Sequence, residues 1–124
     1  NRITKKMATL QNFEDLEIWQ TAREVTKLVY SDFRTSKDFG FRDQIQRCAV
    51  SIMNNIAEGF SRESKKERVY FLNIAKGSSG ELKSMYYVAE DLAYLTREKA
   101  LDRRTKIQGL SNGIASFKRY LSNN

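Results

Sequence analysis

Apolar residues recur at three- and four-residue steps through four long stretches of this sequence, and no proline interrupts them. This spacing places apolar side chains on one face of an α-helix, and the absence of proline permits long helices without proving them. The connections between the stretches are short, so consecutive helices must turn back on each other. The sequence therefore predicts an all-α, up-down-up-down antiparallel four-helix bundle over residues 12–122, with helices at about 13–34, 41–58, 65–95 and 97–121.

Several residues are suited to the helix ends. Asn12 and Asp15 are alternative N-caps for the first helix. Gly59 is a suitable stop for the second helix, because glycine tolerates the left-handed conformation that often follows a helix. The segment that begins at Ser64 has the pattern of a capping box for the third helix. Thr96 is the expected N-cap of the fourth helix.

Two features of the pattern point beyond an isolated bundle. The second helix carries a second apolar stripe, which includes Met53 and Ala57, and it is therefore expected to be buried over a wide arc, as where a bundle meets another subunit. Gly77 and Gly80 lie in the middle of the third helix, where each costs about 1 kcal/mol relative to alanine. Close approach of a neighbouring helix is the favoured explanation; a loop that splits the helix and a phosphate site are the competing ones.

Arg103 occupies an apolar position of the fourth helix, so it either snorkels at the bundle end or faces a subunit contact.

The composition excludes much of the usual catalytic chemistry. There is no histidine and only one cysteine, so the chain lacks histidine-activated nucleophiles and the usual imidazole or thiolate metal sites. No glycine-rich phosphate loop is present. Asn54, Asn55 and Glu58 sit at a helix end, but Glu58 has no evident partner to shift its pKa, and Cys48 lies within an apolar stripe. We therefore predict that the protein is not an enzyme and uses no cofactor and no metal.

The predicted location is the cytoplasm. A single cysteine cannot form an internal disulfide, which fits a reducing compartment. No apolar run approaches the roughly 18 residues that a membrane span requires, and the first residues do not resemble a secretion signal. The sequence thus gives no reason to expect a membrane partner.

The chain is basic, with a formal net charge of +7. Charges balance over residues 1–33, so the excess lies in residues 34–124; residues 1–11 are basic and unpatterned and predict a flexible arm. A positive surface attracts polyanions, although exposed lysines and arginines are also ordinary features of solvated helices. The predicted phosphate contacts lie at the start of the third helix and along the fourth: Arg62, Lys65, Lys66, Arg68, Arg97, Lys99, Arg104, Lys106, Lys118 and Arg119.

Two motifs carry a resemblance to a known family. The segments Phe13 to Trp19 (FEDLEIW) and Ala49 to Gly59 (AVSIMNNIAEG), the latter followed by Ser64 to Leu72, resemble the bacterial four-helix-bundle proteins encoded by intervening sequences of 23S ribosomal RNA genes. The resemblance covers about residues 12–121. The chain departs from the family pattern at Met53, where proline is usual, and at Arg103, where an apolar residue is usual.

The resemblance implies a ring-shaped homopentamer and kinship with accessory proteins of diversity-generating retroelements, which associate with a reverse transcriptase and nucleic acid. Two functions are consistent with it. The first is binding of structured RNA, or DNA, through basic patches without sequence specificity. The second is a scaffold or accessory subunit for a nucleic-acid-processing protein such as a reverse transcriptase. The expected subunit contacts are Met53, Ala57, Tyr86, Tyr87, Tyr94 and Tyr120.

Overall fold

The computed structural model describes residues 11–123, which form four α-helices after a short 3-10 turn at Phe13–Asp15. The helices are α1 (Glu17–Phe33), α2 (Phe39–Ser61), α3 (Lys65–Asp91) and α4 (Arg97–Asn123). Each helix packs on the next one along the chain, and α1 also contacts α4. The predicted all-α class with four helices is confirmed, and residues 11–123 contain no β-strand. The predicted N-terminal arm, apart from residue 11, lies outside the described residues.

The start of α1 differs from the sequence prediction. Neither Asn12 nor Asp15 caps this helix; its N-cap is Leu16, which has an extended backbone and makes no side-chain cap hydrogen bond. The Leu16 side chain is buried in the core. The extended backbone at Leu16 therefore ends the 3-10 turn and places an apolar side chain inside, so burial rather than a polar cap accompanies the start of α1.

Polar caps begin the other three helices. The Asp38 carboxylate accepts a hydrogen bond from the Phe41 amide at 3.2 Å, and α2 starts at Phe39 as a result. The predicted caps of α3 and α4 are confirmed, because Ser64 Oγ accepts from the Glu67 amide and Thr96 Oγ1 accepts from the Lys99 amide, both at 3.1 Å. These bonds satisfy backbone donors that have no partner within the helix.

Gly59 does not end α2, so that prediction is wrong. The helix continues to Ser61, and no glycine among residues 11–123 has a positive φ. A Cβ at Gly59 would lie 3.2 Å from both the Arg68 carbonyl oxygen and Phe71 Cβ. A larger residue here would push α3 away by a few tenths of an ångström, because α3 passes close to α2. The left-handed residue within 11–123 is instead Ala93 (φ 57°), two residues after the end of α3.

The core is a single apolar cluster to which every helix contributes. In α3 the buried stripe includes Tyr86, which is fully buried. The prediction that Tyr86 forms a subunit contact is therefore wrong, because the whole side chain is already enclosed by its own chain. The largest fully buried apolar side chains are those of Phe33, Ile45, Ile52, Ile56, Leu72, Leu82, Tyr86, Ile107, Leu110 and Ile114.

Gly77 and Gly80 face away from the core, and α3 is continuous through them. A Cβ added at either position would have no neighbour within 4 Å, so the predicted close approach does not occur within residues 11–123. Ser78 and Ser79 face inward instead: the Ser78 hydroxyl lies 3.1 Å from that of Ser51, and Ser79 Oγ donates to the Lys76 carbonyl at 2.6 Å. The serine hydroxyls on the inner face of α3 thus have hydrogen-bond partners, whereas its outer face has free space at Gly77 and Gly80.

Cys48 is partly buried, and its thiol donates to the Ser78 carbonyl at 3.2 Å. Burial, with a smaller contribution from Glu81, raises the pKa of the thiol from 9.0 to about 11. We expect slow reaction with an aromatic disulfide reagent at pH 8 and fast reaction once the chain is unfolded, because the thiolate is the reactive form. Fast labelling of the folded protein would contradict this assignment.

The same shift predicts a pH dependence of stability. Between pH 9 and 11 the unfolded thiol ionises while the folded one keeps its proton. The free energy of unfolding should therefore fall as pH rises through this window. Urea denaturation at several pH values measures this effect for the unmodified protein and for Cys48→Ser. The variant should lose less free energy of unfolding between pH 9 and 11, because it has no thiol to ionise.

Candidate functional site

The predicted phosphate-binding residues divide into two sets along α3. Lys118 Nζ donates to Asn73 Oδ1 at 2.9 Å, whereas Arg104 Nη1 pairs with Glu90 Oε1 at 2.9 Å. Asn73 and Glu90 are about 25 Å apart at 1.5 Å per helical residue. The ten residues therefore do not form one patch. Arg62, Lys65, Lys66, Arg68, Lys118 and Arg119 lie nearer the start of α3, and Arg97, Lys99, Arg104 and Lys106 lie nearer its end.

Four residues of the first set form a surface that we call the cationic end: Lys65, Lys66, Lys118 and Arg119. Lys65 and Lys66 are exposed in the first turn of α3. Lys66 and Asn73 lie seven residues apart on one face of that helix, which is about 10 Å along its axis. Asn73 accepts the hydrogen bond from Lys118, so Lys118 lies near this face. Arg119 is exposed and donates to the hydroxyl of Ser116 at 3.2 Å. Cations that are distant in sequence thus share one surface across α3 and α4.

Arg62 and Arg68 hold the connection between α2 and α3. Arg62 pairs with Glu58 and, at 3.5 Å, with Glu67, and its guanidinium lies 4.9 Å from the centre of the Phe71 ring. Arg68 Nε donates to the Arg62 carbonyl at 2.5 Å. Both side chains therefore have partners within the chain. Glu58, which had no evident partner in the sequence, is an ion-pair partner of Arg62.

Arg104 is not available for phosphate contact, so that prediction is wrong. Only 7% of the residue is exposed. Its guanidinium pairs with Glu90 and lies 4.0 Å from the centre of the Tyr87 ring, because α3 and α4 pack together at this point. Arg97 and Lys99 remain exposed. Lys106 pairs with Asp102 at 2.7 Å, but both side chains are about half exposed, and such pairs contribute little to stability.

The main polar feature that the sequence prediction missed is the carboxylate of Asp32, whose side chain is 0% exposed. It accepts hydrogen bonds from Arg103 Nε at 2.8 Å, from Arg103 Nη2 at 2.9 Å and from the Tyr86 hydroxyl at 2.8 Å, and Lys99 Nζ lies 3.7 Å away. Arg103 Nη1 also pairs with Asp102 at 2.7 Å. Arg103 therefore binds a buried acid of its own chain, which neither of the two predicted alternatives anticipated.

The electrostatics of this cluster keep its groups in fixed protonation states. The hydrogen bond to Asp32 raises the pKa of Arg103, and burial together with Asp32 raises the pKa of Tyr86, so the guanidinium stays charged and the phenol stays neutral. Within residues 11–123 no buried side-chain nitrogen or oxygen lacks a partner. The cluster therefore joins helices together and leaves no buried polar atom there for a ligand.

The remaining predicted subunit contacts lie in different environments. Met53, Ala57 and Tyr120 are partly buried. Tyr87 is half exposed and packs on Arg104. The Tyr94 hydroxyl donates to Asp38 at 2.5 Å, which raises the pKa of Tyr94 and lowers that of Asp38. Tyr94 thus ties the connection between α3 and α4 to the start of α2.

The described part of the chain, residues 11–123, contains no group of three or more histidine, cysteine, aspartate or glutamate side chains that could hold a metal ion. Among the same residues, no helix combines the length and apolar character required to cross a membrane.

Comparison with known proteins identifies the family. No curated protein matches the chain. A solved structure with the same fold is that of a protein with unknown function from the S23 ribosomal protein family of Bacteroides thetaiotaomicron VPI-5482. The TM-score is 0.76 at 22% sequence identity, over 82% of this chain and 97% of that one. Residues 14–116 match the family described as 23S rRNA-intervening sequence protein. The chain therefore belongs to the 23S rRNA-intervening sequence protein family.

Proposed function

We propose that this protein is a non-catalytic, oligomeric, cytoplasmic protein that binds structured RNA without sequence specificity. The cationic end carries this proposal, because α3 and α4 together present exposed basic side chains there. Contacts of lysine and arginine with phosphates carry no sequence information. Double-stranded RNA is recognised mainly through its shape and backbone, which requires no base-reading groups.

The proposed protomer is an up-down-up-down bundle. Contacts between α3 and α4 support this topology, because residue numbers rise along one helix while they fall along the other. The pairs are Asn73 with Lys118, Lys83 with Gln108, and Glu90 with Arg104. The connections of three to five residues between consecutive helices favour the same arrangement throughout the bundle.

The proposed assembly is a ring-shaped homopentamer in which the outer face of α3 contacts a neighbouring copy. This face exposes Tyr70, Ile74 and Val88, and Gly77 and Gly80 lie between Ile74 and Val88. Each glycine costs the helix about 1 kcal/mol, and close packing of a second copy would offset that cost. Five copies would repeat the cationic end around the ring, so weak phosphate contacts could combine by avidity.

Salt dependence of RNA binding tests the function. We expect the affinity for a fluorescent RNA hairpin to fall steeply with salt, with a slope of about −0.7 to −0.9 in log K per phosphate contact. Lys65→Gln/Lys66→Gln should make the slope shallower by about 1.5, since two contacts are lost. A flat salt response of the unmodified protein, or no binding at low salt, would remove the proposed function.

Arg97→Gln/Lys106→Gln is the matched control, because it removes the same charge near the other end of α3. It should alter the slope less than the Lys65 and Lys66 pair does. An equal effect of the two double variants would show that net charge, and not the cationic end, governs binding.

A second candidate function is an accessory subunit or scaffold for a nucleic-acid enzyme such as a reverse transcriptase. Exposed apolar side chains around the connection of α3 and α4 favour a protein partner: Leu92 is 52% exposed and Leu101 is 55% exposed, near half-exposed Tyr87. A partner that co-purifies after nuclease treatment and is lost in Leu92→Ser/Leu101→Ser would support this function. A partner that nuclease removes would support the RNA proposal instead.

A further inference from the structure

A groove between α1 and α2 has no part in the function proposed above. Its volume is about 390 Å³, and it is lined by Lys27, Tyr30, Ser31, Arg34, Arg42 and Gln46. Three of these six residues are cations and none is an acid. Because α1 and α2 carry it, the groove is made of other residues than the cationic end on α3 and α4.

Two of the cations are open to a ligand. Arg34 is exposed at the end of α1, and it has no hydrogen-bond or ion-pair partner among residues 11–123. Lys27 lies 3.7 Å from Glu24, but both side chains are 68% exposed. An exposed pair of this kind is worth little, so an arriving phosphate can compete for Lys27. The α1 wall of the groove therefore presents two positive charges about 10 Å apart along the helix.

The opposite wall and the rim supply a third cation and aromatic rings. The Arg42 guanidinium lies 4.9 Å from the centre of the Phe39 ring and 3.4 Å from the neighbouring carboxylate of Asp43. Packing on the ring orients the guanidinium, and it remains partly exposed. Tyr30 is 45% exposed on the α1 side. The groove thus combines phosphate-binding groups with an open aromatic ring.

We propose that this groove binds single-stranded nucleic acid, with phosphates at Lys27, Arg34 and Arg42 and an unpaired base stacked on Tyr30. Cationic grooves with an aromatic platform bind single strands in this way, because every base has a face that can stack. The axes of packed helices are about 8–10 Å apart, so the groove between them is narrow and suits one strand better than a duplex. The groove and the cationic end would both bind nucleic acid, but they have no residue in common.

The test compares two RNAs by fluorescence anisotropy: a labelled oligouridylate of about twelve nucleotides, which stays single-stranded, and the RNA hairpin used above. Tyr30→Leu should weaken oligouridylate binding about tenfold, whereas Tyr30→Phe should keep it, because phenylalanine retains the stacking face. Lys27→Gln/Arg34→Gln should weaken oligouridylate binding more than Lys65→Gln/Lys66→Gln does, although both variants lose two charges. For the hairpin, Lys65→Gln/Lys66→Gln should weaken binding more than Lys27→Gln/Arg34→Gln does.

The outcomes separate the groove from the cationic end. If Tyr30→Leu binds oligouridylate as well as Tyr30→Phe does, or if the two double variants weaken it equally, the groove proposal is overturned. Hairpin binding without oligouridylate binding also overturns it and leaves the proposed function intact. Oligouridylate binding that depends on Tyr30, together with a flat salt response for the hairpin, supports the groove and removes the cationic end as the RNA site.

Discussion

Asp32→Ala should lower the free energy of unfolding by about 3 kcal/mol, because it removes one partner of a buried ion pair. The Arg103 guanidinium would lose two hydrogen bonds, and the buried Tyr86 hydroxyl would lose its acceptor. The expected loss is at the low end of the usual range, since Asp102 still accepts from Arg103 Nη1. Guanidinium chloride denaturation followed by far-UV circular dichroism measures the effect.

Two further variants control this experiment. Asp102→Ala removes an exposed partner of the same arginine and should lower the free energy of unfolding much less, because exposed ion pairs contribute little. Asp32→Ala/Arg103→Met should recover part of the loss, because it removes the unpaired charge and fills the space with an apolar chain. An Asp32→Ala variant no less stable than Asp102→Ala would contradict the role assigned to the buried carboxylate.

Gly77→Leu should dissociate the proposed ring, with little harm to the fold of the single chain. No described atom lies within 4 Å of a Cβ at this position, so the protomer has space for a larger side chain. Leucine also favours helix over glycine by up to about 1 kcal/mol. Light scattering after size exclusion should give about five times the 14.4 kDa chain mass for the unmodified protein and close to the chain mass for the variant.

Gly40→Leu is the matched control for the ring. Gly40 is also exposed with nothing near its Cβ position, but it lies in the first turn of α2, away from the outer face of α3. This variant should keep the mass of the unmodified protein. A monomeric unmodified protein would exclude the ring, and an unchanged mass for Gly77→Leu would exclude the α3 face as its contact.

The number and approximate positions of the helices could be predicted, because the buried face of a helix requires apolar residues at three- and four-residue steps in the sequence. The ends were less predictable where tertiary contact overrides local preference. The start of α1 follows the burial of Leu16, which no capping rule anticipates. Gly59 resembles a helix stop, and only the packing of α3 on α2 shows that it permits close approach.

The candidate sites were predictable only in part, because exposure depends on which helices meet. The apolar stripe of α4 extends backward from Ile107 through either Arg103 or Arg104, at steps of four or three, and the sequence does not distinguish them. The structure buries Arg104 against α3 and turns Arg103 toward α1. Asp32 left a usable signal, since it follows Val25 and Val29 at four- and three-residue steps and is an acid that could match Arg103.

The buried pair of Asp32 and Arg103 also determines the register of α4. The apolar residues of this helix repeat at regular steps from Ile107 to Leu121, so a slide by two turns, about 10 Å, would still bury apolar side chains. The same slide would separate Arg103 from Asp32 and leave the buried Asp32 carboxylate without its cation, at a cost of several kcal/mol. The ion pair therefore discriminates between alignments that apolar packing alone treats as nearly equivalent.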